Sequence, residues 1–312
     1  MEHLSKADRG RAIAALLTAV VLFGSAFVGI RAVIGANAFT AGQLTAFRLL
    51  VAAVLLGVIA AFQGGVRVPK GRDWLPFIYL GVFGQAFYQI ILGLGERTVD
   101  GGTAALLVSC SPIVASVLAV AFLGERLTWQ GWVGSGIAFA GAGVIASSAG
   151  VSIHMNTGVL LVLGATLLWA SYQVVQKIVA AGYSPLELTA WPTWIAVVAL
   201  IPWIVQLPKA IAGAPLSASM AAVYLGAFSS VAGFLAWSYA IRRLPVVVSS
   251  NALFAVPVAA AIVGWLVLGE TPAPLALVGA AVVISGVALM QLMGRPARVA
   301  EPAAAAVEPA EA

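Results

Sequence analysis

Phe122-Leu123-Gly124-Glu125-Arg126-Leu127-Thr128 closes one long apolar run, and 145 residues after its centre Leu268-Gly269-Glu270 closes another. The same offset superimposes Gly81-Val82-Phe83 on Gly226-Ala227-Phe228, Pro112 on Pro257, Gly134 on Gly279 and Gly141 on Gly286. A shift of 146 aligns Phe23, Ser25 and Arg31 with Trp169, Ser171 and Lys177, and a shift of 144 aligns Leu44-Thr45-Ala46 with Leu188-Thr189-Ala190. Self-similarity at a nearly constant offset means that one unit is used twice.

Composition says what kind of unit it is. Hydrophobic residues make up 62% of the 312-residue chain and charged residues 9%, with a mean hydropathy of +1.05. A soluble domain carries about 25% charged residues, so the solvent of this chain is mostly lipid. A spanning helix needs about 20 apolar residues. Apolar runs bounded by charges or by Gly/Pro clusters predict α1 at 11–31, α2 at 42–62, α3 at 74–95, α4 at 102–122 and α5 at 129–148. The second set is α6 at 157–177, α7 at 186–206, α8 at 218–240, α9 at 247–268 and α10 at 274–293. The fold class expected is an all-α membrane protein of ten transmembrane helices. It divides into a tail at 1–10, a first repeat at 11–148, a second at 157–293 and a disordered tail of Ala, Pro and Glu at 294–312. The first run follows Lys6, Arg9 and Arg11 as a signal peptide would, but it is too long for an h-region and leads straight to Arg31 and a second span, so it is kept as α1. Asp73 is expected to cap α3, and Ser184-Pro185-Leu186-Glu187 reads as a capping box at the start of α7.

Charge sets the orientation. With the N-terminus inside, one side holds Lys6, Arg9, Arg11, Arg67, Lys70, Arg72, Arg126, Lys177, Arg242, Arg243, Arg295 and Arg298, and the other only Arg31, Arg97 and Lys209. The bias places both N- and C-termini in the cytoplasm. Each repeat has an odd number of spans, so the two copies are inverted, with Glu125 ending α4 inside and Glu270 ending α9 outside. Halves related by an axis in the membrane plane can open a midplane site to each face in turn, which is alternating access. Apolar composition alone would also suit a scaffold or an intramembrane enzyme; the repeat favours a transporter.

Thr103-Ala104-Ala105-Leu106-Leu107, Ser111-Pro112-Ile113-Val114 and the 122–128 run, with glycines at 131, 134 and 141, resemble the EamA repeat of the drug/metabolite transporter superfamily. The second half resembles it again through Pro257 and Leu268-Gly269-Glu270. The resemblance covers nearly everything except the C-terminal tail. It implies a ten-helix fold and export or exchange of small metabolites, with bacterial amino-acid exporters among the nearest members. Gly95-Glu96-Arg97 departs from the usual apolar pattern and is expected to be an outer loop with a local ion pair.

Polar residues on apolar helices mark the candidate site. Trp169, Tyr172, Gln173 and Gln176 share one face of α6 at i, i+3, i+4 and i+7, and Gln85, Tyr88 and Gln89 share one on α3. Two such faces from different repeats suit a substrate cavity that stacks an apolar side chain and hydrogen-bonds a polar head. An interhelical hydrogen-bond seam is the plainer alternative. Trp237 on α8, Asn251 on α9, and Ser109 and Ser111 on α4 are further substrate-binding candidates. Pro112 and Pro257, expected near the middles of α4 and α9, either kink the helices for packing or act as paired hinges beside the substrate. Arg48, about 9 Å from the outer end of α2, either snorkels outward or anchors an anionic substrate group or a helix end.

Other functions find no residues to carry them. The single cysteine, Cys110, allows no intrachain disulfide. There is no Walker A loop and no His/Cys spacing for zinc, so no cofactor, metal or catalytic residue is expected. The basic residues occupy short connections and form no stripe for nucleic acid. No carboxylate is placed mid-membrane, which argues for facilitated transport or weak proton coupling. The expected partners are a small-molecule substrate, amino acids first, and the lipid bilayer. The glycines of α5 and α10 serve close helix packing or a homodimer contact. A multidrug exporter of organic cations and a non-transporting scaffold are the competing functions.

Overall fold

A computed structural model describes residues 5–35, 38–99, 101–148, 156–269 and 273–293. Among them the regular structure is entirely helical, and eight helices are long and apolar enough to cross a membrane. These are Ala7–Ile30 in α1, Ala41–Phe62 as α2, Gly71–Gly95 as α3, Thr103–Leu123 in α4, Thr157–Ala180 as α6, Leu216–Arg243 as α8, Val246–Val267 in α9 and Pro274–Met293 as α10. Trp129–Ser148 forms α5 and Pro185–Ala199 forms α7. The expected α7 is cut short: the helix ends at Leu200 and two short helices come after it, Ile201–Ile204 and Leu207–Gly213, each with proline in its first turn. Pro202 and Pro208 lack an N–H, so each starts a helix better than it continues one. Glu270, Asp100, His3, His154 and the 294–312 tail lie outside the described residues.

Local caps agree with the sequence in one place and not in another. The Ser184 hydroxyl accepts from the Glu187 N–H at 3.2 Å, and the Glu187 carboxylate accepts from the Ser184 N–H at 2.7 Å, closing the expected box. Thr40 and Gln43 make a second box, 144 residues earlier, at the start of α2. Asp73 makes no cap bond to α3; its carboxylate instead accepts the Tyr183 hydroxyl at 2.7 Å. A long-range partner from the 181–184 turn therefore takes the side chain that the local pattern assigned to the helix.

The helices pack in pairs that recur under the repeat offset. α1 lies against α8 and α9 as α6 lies against α3 and α4, and α2 against α8 as α7 against α3. The tightest contacts are glycine contacts. A Cβ on Gly81 would sit 2.6 Å from the Pro192 carbonyl, and one on Gly226 would sit 2.7 Å from the Arg48 carbonyl. α5 and α10 meet along a ladder in which Gly134 faces the Gly286 backbone and Gly141 faces the Gly279 backbone, each within 2.8 Å of an added Cβ. With no side chain between them, the two backbones gain dispersion contact that lipid would not replace. Those four glycines thus serve close helix packing within one chain, the first of the two roles expected of them.

One end of the bundle is tied across the two halves. Arg67 donates to the Glu187 carboxylate at 3.0 and 3.3 Å and to the Gly182 carbonyl at 3.1 Å, while its own carbonyl accepts the Trp191 indole N–H at 2.8 Å. At the same end the Glu125 carboxylate accepts the backbone N–H groups of Val246 and Val247 at 2.8 and 2.9 Å, satisfying the first turn of α9. Gly124 and Gly269 end α4 and α9 in the left-handed conformation, at φ of 65° and 70°.

Candidate functional site

α3 and α8 are not regular throughout. Val82–Phe87 and Leu225–Gly233, which overlap under the 145-residue shift, are widened π-type turns. Such turns aim side chains that a straight helix would point elsewhere. In α3 the widened turn carries Gln85 inward and brings Gly84 so close to α6 that a Cβ there would come within 3.0 Å of the Tyr172 ring. In α8 it presents the hydroxyls of Ser229 and Ser230.

The aromatic residues expected from the sequence converge. Trp169 stacks on Tyr88 at 5.3 Å and on Tyr172 at 5.1 Å between ring centroids, with Trp237 tilted beside it at 6.3 Å. Phe23 of α1 and Phe234 of α8 close the cluster edge-on, 6.3 and 6.0 Å from Trp169. Sequence reasoning missed both as site residues. Phe23 had a signal, since it aligns with Trp169 in the repeat, but Phe234 had none that separates it from an ordinary apolar residue.

Polar atoms around the cluster divide into satisfied and unsatisfied ones. Trp237 donates its indole N–H to Gln176 at 2.8 Å, and Gln176 donates to Ser238 at 3.1 Å. Gln173 donates to Ser111 at 3.3 Å, and Gln85 accepts from Thr193 at 3.1 Å. Gln85 Nε2, Tyr172 Oη and Gln173 Oε1 are fully buried and make no well-formed hydrogen bond among the described residues, although the Gln85 amide and the Tyr172 hydroxyl lie near each other. A buried polar atom without a partner costs about 1–3 kcal/mol, so three on neighbouring residues are a feature that requires something to meet them.

Arg48 is 8% exposed and turned inward, hydrogen-bonded to Ser230 at 3.2 Å and Ser229 at 3.4 Å. Among the described residues Gln89 donates to the Gln85 carbonyl of its own helix and Ser109 to the Ala105 carbonyl, neither reaching the cluster. Asn251 is not brought to the cluster. It donates to Ser116 and the Val247 carbonyl at 2.9 and 2.8 Å and accepts from Ser135 at 2.6 Å, a buried seam joining α9, α4 and α5.

Pro112 and Pro257 do not kink continuous helices. α4 is interrupted at Ser109-Cys110 and restarts as Ser111–Leu123, with Pro112 in the first turn. α9 passes through a tight turn at Leu253–Ala255 and restarts at Val256, with Pro257 in the first turn. The missing N–H of each proline thus falls where a helix has no acceptor for it. The ion pair expected at Glu96-Arg97 does not form; burial pushes the Glu96 carboxyl above the usual carboxylate range.

Comparison with known proteins finds relatives over nearly the whole chain. A "Probable terminal-alkyne amino-acid exporter" of Streptantibioticus cattleyicolor is 41% identical over 281 residues, covering 90% of this chain and 93% of that protein. An "Uncharacterized transporter YdfC" of Bacillus subtilis is 32% identical over 271 residues, covering 87% and 88%. A solved structure matches the fold with a TM-score of 0.76 at 19% identity, covering 91% of this chain and 99% of the other. The family described as the EamA-like transporter family matches twice, over residues 10–147 and 156–292. With nearly the whole chain covered by two copies of that pattern, the protein belongs to the EamA-like transporter family and is a multi-pass membrane transporter, not an enzyme.

Proposed function

We propose that the protein is an exporter or facilitator of small amphiphilic metabolites, amino acids first among them, in the bacterial inner membrane. Ten spans in two inverted five-helix repeats, with both termini cytoplasmic, exchange conformations by alternating access around the aromatic cluster. The recurrence of helix pairs and glycine contacts under one offset supports the repeat. The charge bias of the connections supports the orientation.

One observation carries the substrate reading. Gln85 Nε2, Tyr172 Oη and Gln173 Oε1 are buried without a well-formed hydrogen bond among the described residues, beside a Tyr88–Trp169–Tyr172 stack. That is a set of donors and acceptors next to a flat apolar surface, the complement of a molecule with a polar head and an apolar side chain. The name of the Streptantibioticus cattleyicolor relative points to the same class. Arg48, Trp237 and Ser111 complete the lining, Pro112 and Pro257 are the hinges, and Gln89 and Ser109 are peripheral.

Counterflow of a labelled amino-acid panel in liposomes, with and without an imposed pH gradient, tests this. Saturable exchange that survives loss of the gradient, and disappears when Trp169 and Tyr172 are replaced by alanine in folded protein, is the expected result. Movement of organic cations and no amino acid would replace this function with drug export, and movement of neither would leave a scaffold.

A further inference from the structure

On the transport reading above, on which this step rests, Arg48 narrows the substrate class. Arg48 lies within a span with no carboxylate paired to it among the described residues. Nε and Nη2 are bonded to the hydroxyls of Ser230 and Ser229, and Nη1 has no hydrogen-bond partner among the described residues. Serine hydroxyls orient a guanidinium but leave its charge in place. Their distances of 3.2 and 3.4 Å are longer than the roughly 2.7–2.9 Å of a guanidinium–carboxylate bond. A buried cation held by neutral groups alone is an unstable arrangement unless an anion joins it.

The polar side chains beside Trp169 are those of Gln85, Tyr172 and Gln173, all neutral. The carboxylate on this side is Glu96, eight residues beyond Tyr88 and about 12 Å along the axis, which acts on Tyr88 from a distance. Ser230, which holds Arg48, stands four residues before Phe234 on α8, and Phe234 meets the Trp169 ring edge-on at 6.0 Å, so an anion at Arg48 leaves the rest of its molecule beside the Trp169 face.

We propose that the substrate is recognised first as a monocarboxylate: Arg48 binds the carboxylate, Ser229 and Ser230 on the widened turn of α8 are positioning residues for the guanidinium, and the α-amino group meets the neutral amides and hydroxyl beside Trp169. The site therefore takes carboxylates with a flat or apolar side chain, with or without an α-amine, and rejects amines that lack a carboxylate.

Purified protein in detergent is titrated with phenylalanine, 3-phenylpropionate and phenylalaninamide while thermal unfolding is monitored, and counterflow is measured in parallel. Phenylalanine and 3-phenylpropionate should raise the midpoint at similar concentrations, and phenylalaninamide should not raise it at about a hundredfold more, the loss expected when a buried charge is left unpaired. Replacing both serines by alanine should weaken the two carboxylates about tenfold, the loss of a bond to a charged group, and Ser230→Thr, which keeps the hydroxyl, should restore most of it. Should Arg48→Ala fail to fold, the serine variants carry the test. The proposal is overturned if phenylalaninamide binds as well as phenylalanine, if none of the three binds, or if the serine variants leave the carboxylates unchanged. Carboxylate binding without any counterflow would overturn the transport reading and leave the proposal standing; counterflow with amide binding would do the reverse.

Discussion

Replacing Glu125 by glutamine tests whether the tie between α4 and α9 holds one face of the bundle shut. The carboxylate accepts two backbone N–H groups, from Val246 and Val247, at 2.8 and 2.9 Å. Glutamine keeps the shape but has one acceptor oxygen, so one N–H faces an NH2 group and the negative charge at the start of α9 is lost. A hydrogen bond to a charged group contributes about 1.5–3 kcal/mol, and a loss of about 2 kcal/mol raises the population with α4 and α9 parted about 30-fold. Val247 is 3% exposed in the closed arrangement, and Cys110 is the one cysteine to remove before a reporter is placed. In nanodiscs, the maleimide labelling rate of Val247→Cys on a Cys110→Ser background should rise by about that factor when Glu125→Gln is added. A rate unchanged within twofold would refute the idea that these bonds hold the face closed.

The packing makes three other outcomes testable. Gly286→Ala places a Cβ 2.6 Å from the Gly134 carbonyl, so α5 and α10 must separate at a cost of about 1–3 kcal/mol. The thermal midpoint in detergent should fall, whereas Gly136→Ala, which meets open space, should leave it in place. Ser184→Ala removes the cap of α7 and should destabilise by about 1 kcal/mol, read from the same midpoint. Pro112→Ala with Pro257→Ala should change stability by less than about 1 kcal/mol, because both prolines occupy first turns, while slowing exchange; a large fall in midpoint would contradict the first-turn placement.

Most of the architecture could be read from the sequence because lipid imposes one strong rule, that every backbone polar group be satisfied within a helix. That rule makes apolar length a sound guide at α2, α6 and α10. It fails at α7, where Pro202 ends a run that hydropathy alone carries to 206. The aromatic face of α6 was legible because Trp169, Tyr172 and Gln173 keep helical spacing. The widened turns of α3 and α8 were not, because an extra residue in one turn leaves the apolar pattern almost unchanged while rotating the rest of the helix. For the same reason Ser229 and Ser230 read as ordinary small residues, although they hold Arg48. Asn251 shows the opposite limit: its chemistry suits a ligand, and only the positions of Ser116 and Ser135 reveal that its bonds are already taken.

The widened turn in α3 also changes how length differences between related chains are to be read. Such a turn holds one residue more than a regular one. Deleting a single residue between 82 and 87 would let this turn close as a regular one, so the remaining half of the helix would keep its facing. Tyr88 would still meet Trp169, and Phe77 and Leu80 would keep their places in the core, but Gln85 would lose the position that the wide turn gives it. A one-residue gap at this point of an alignment, which in a loop would pass without comment, marks a relative that keeps the aromatic face and changes the amide beside it.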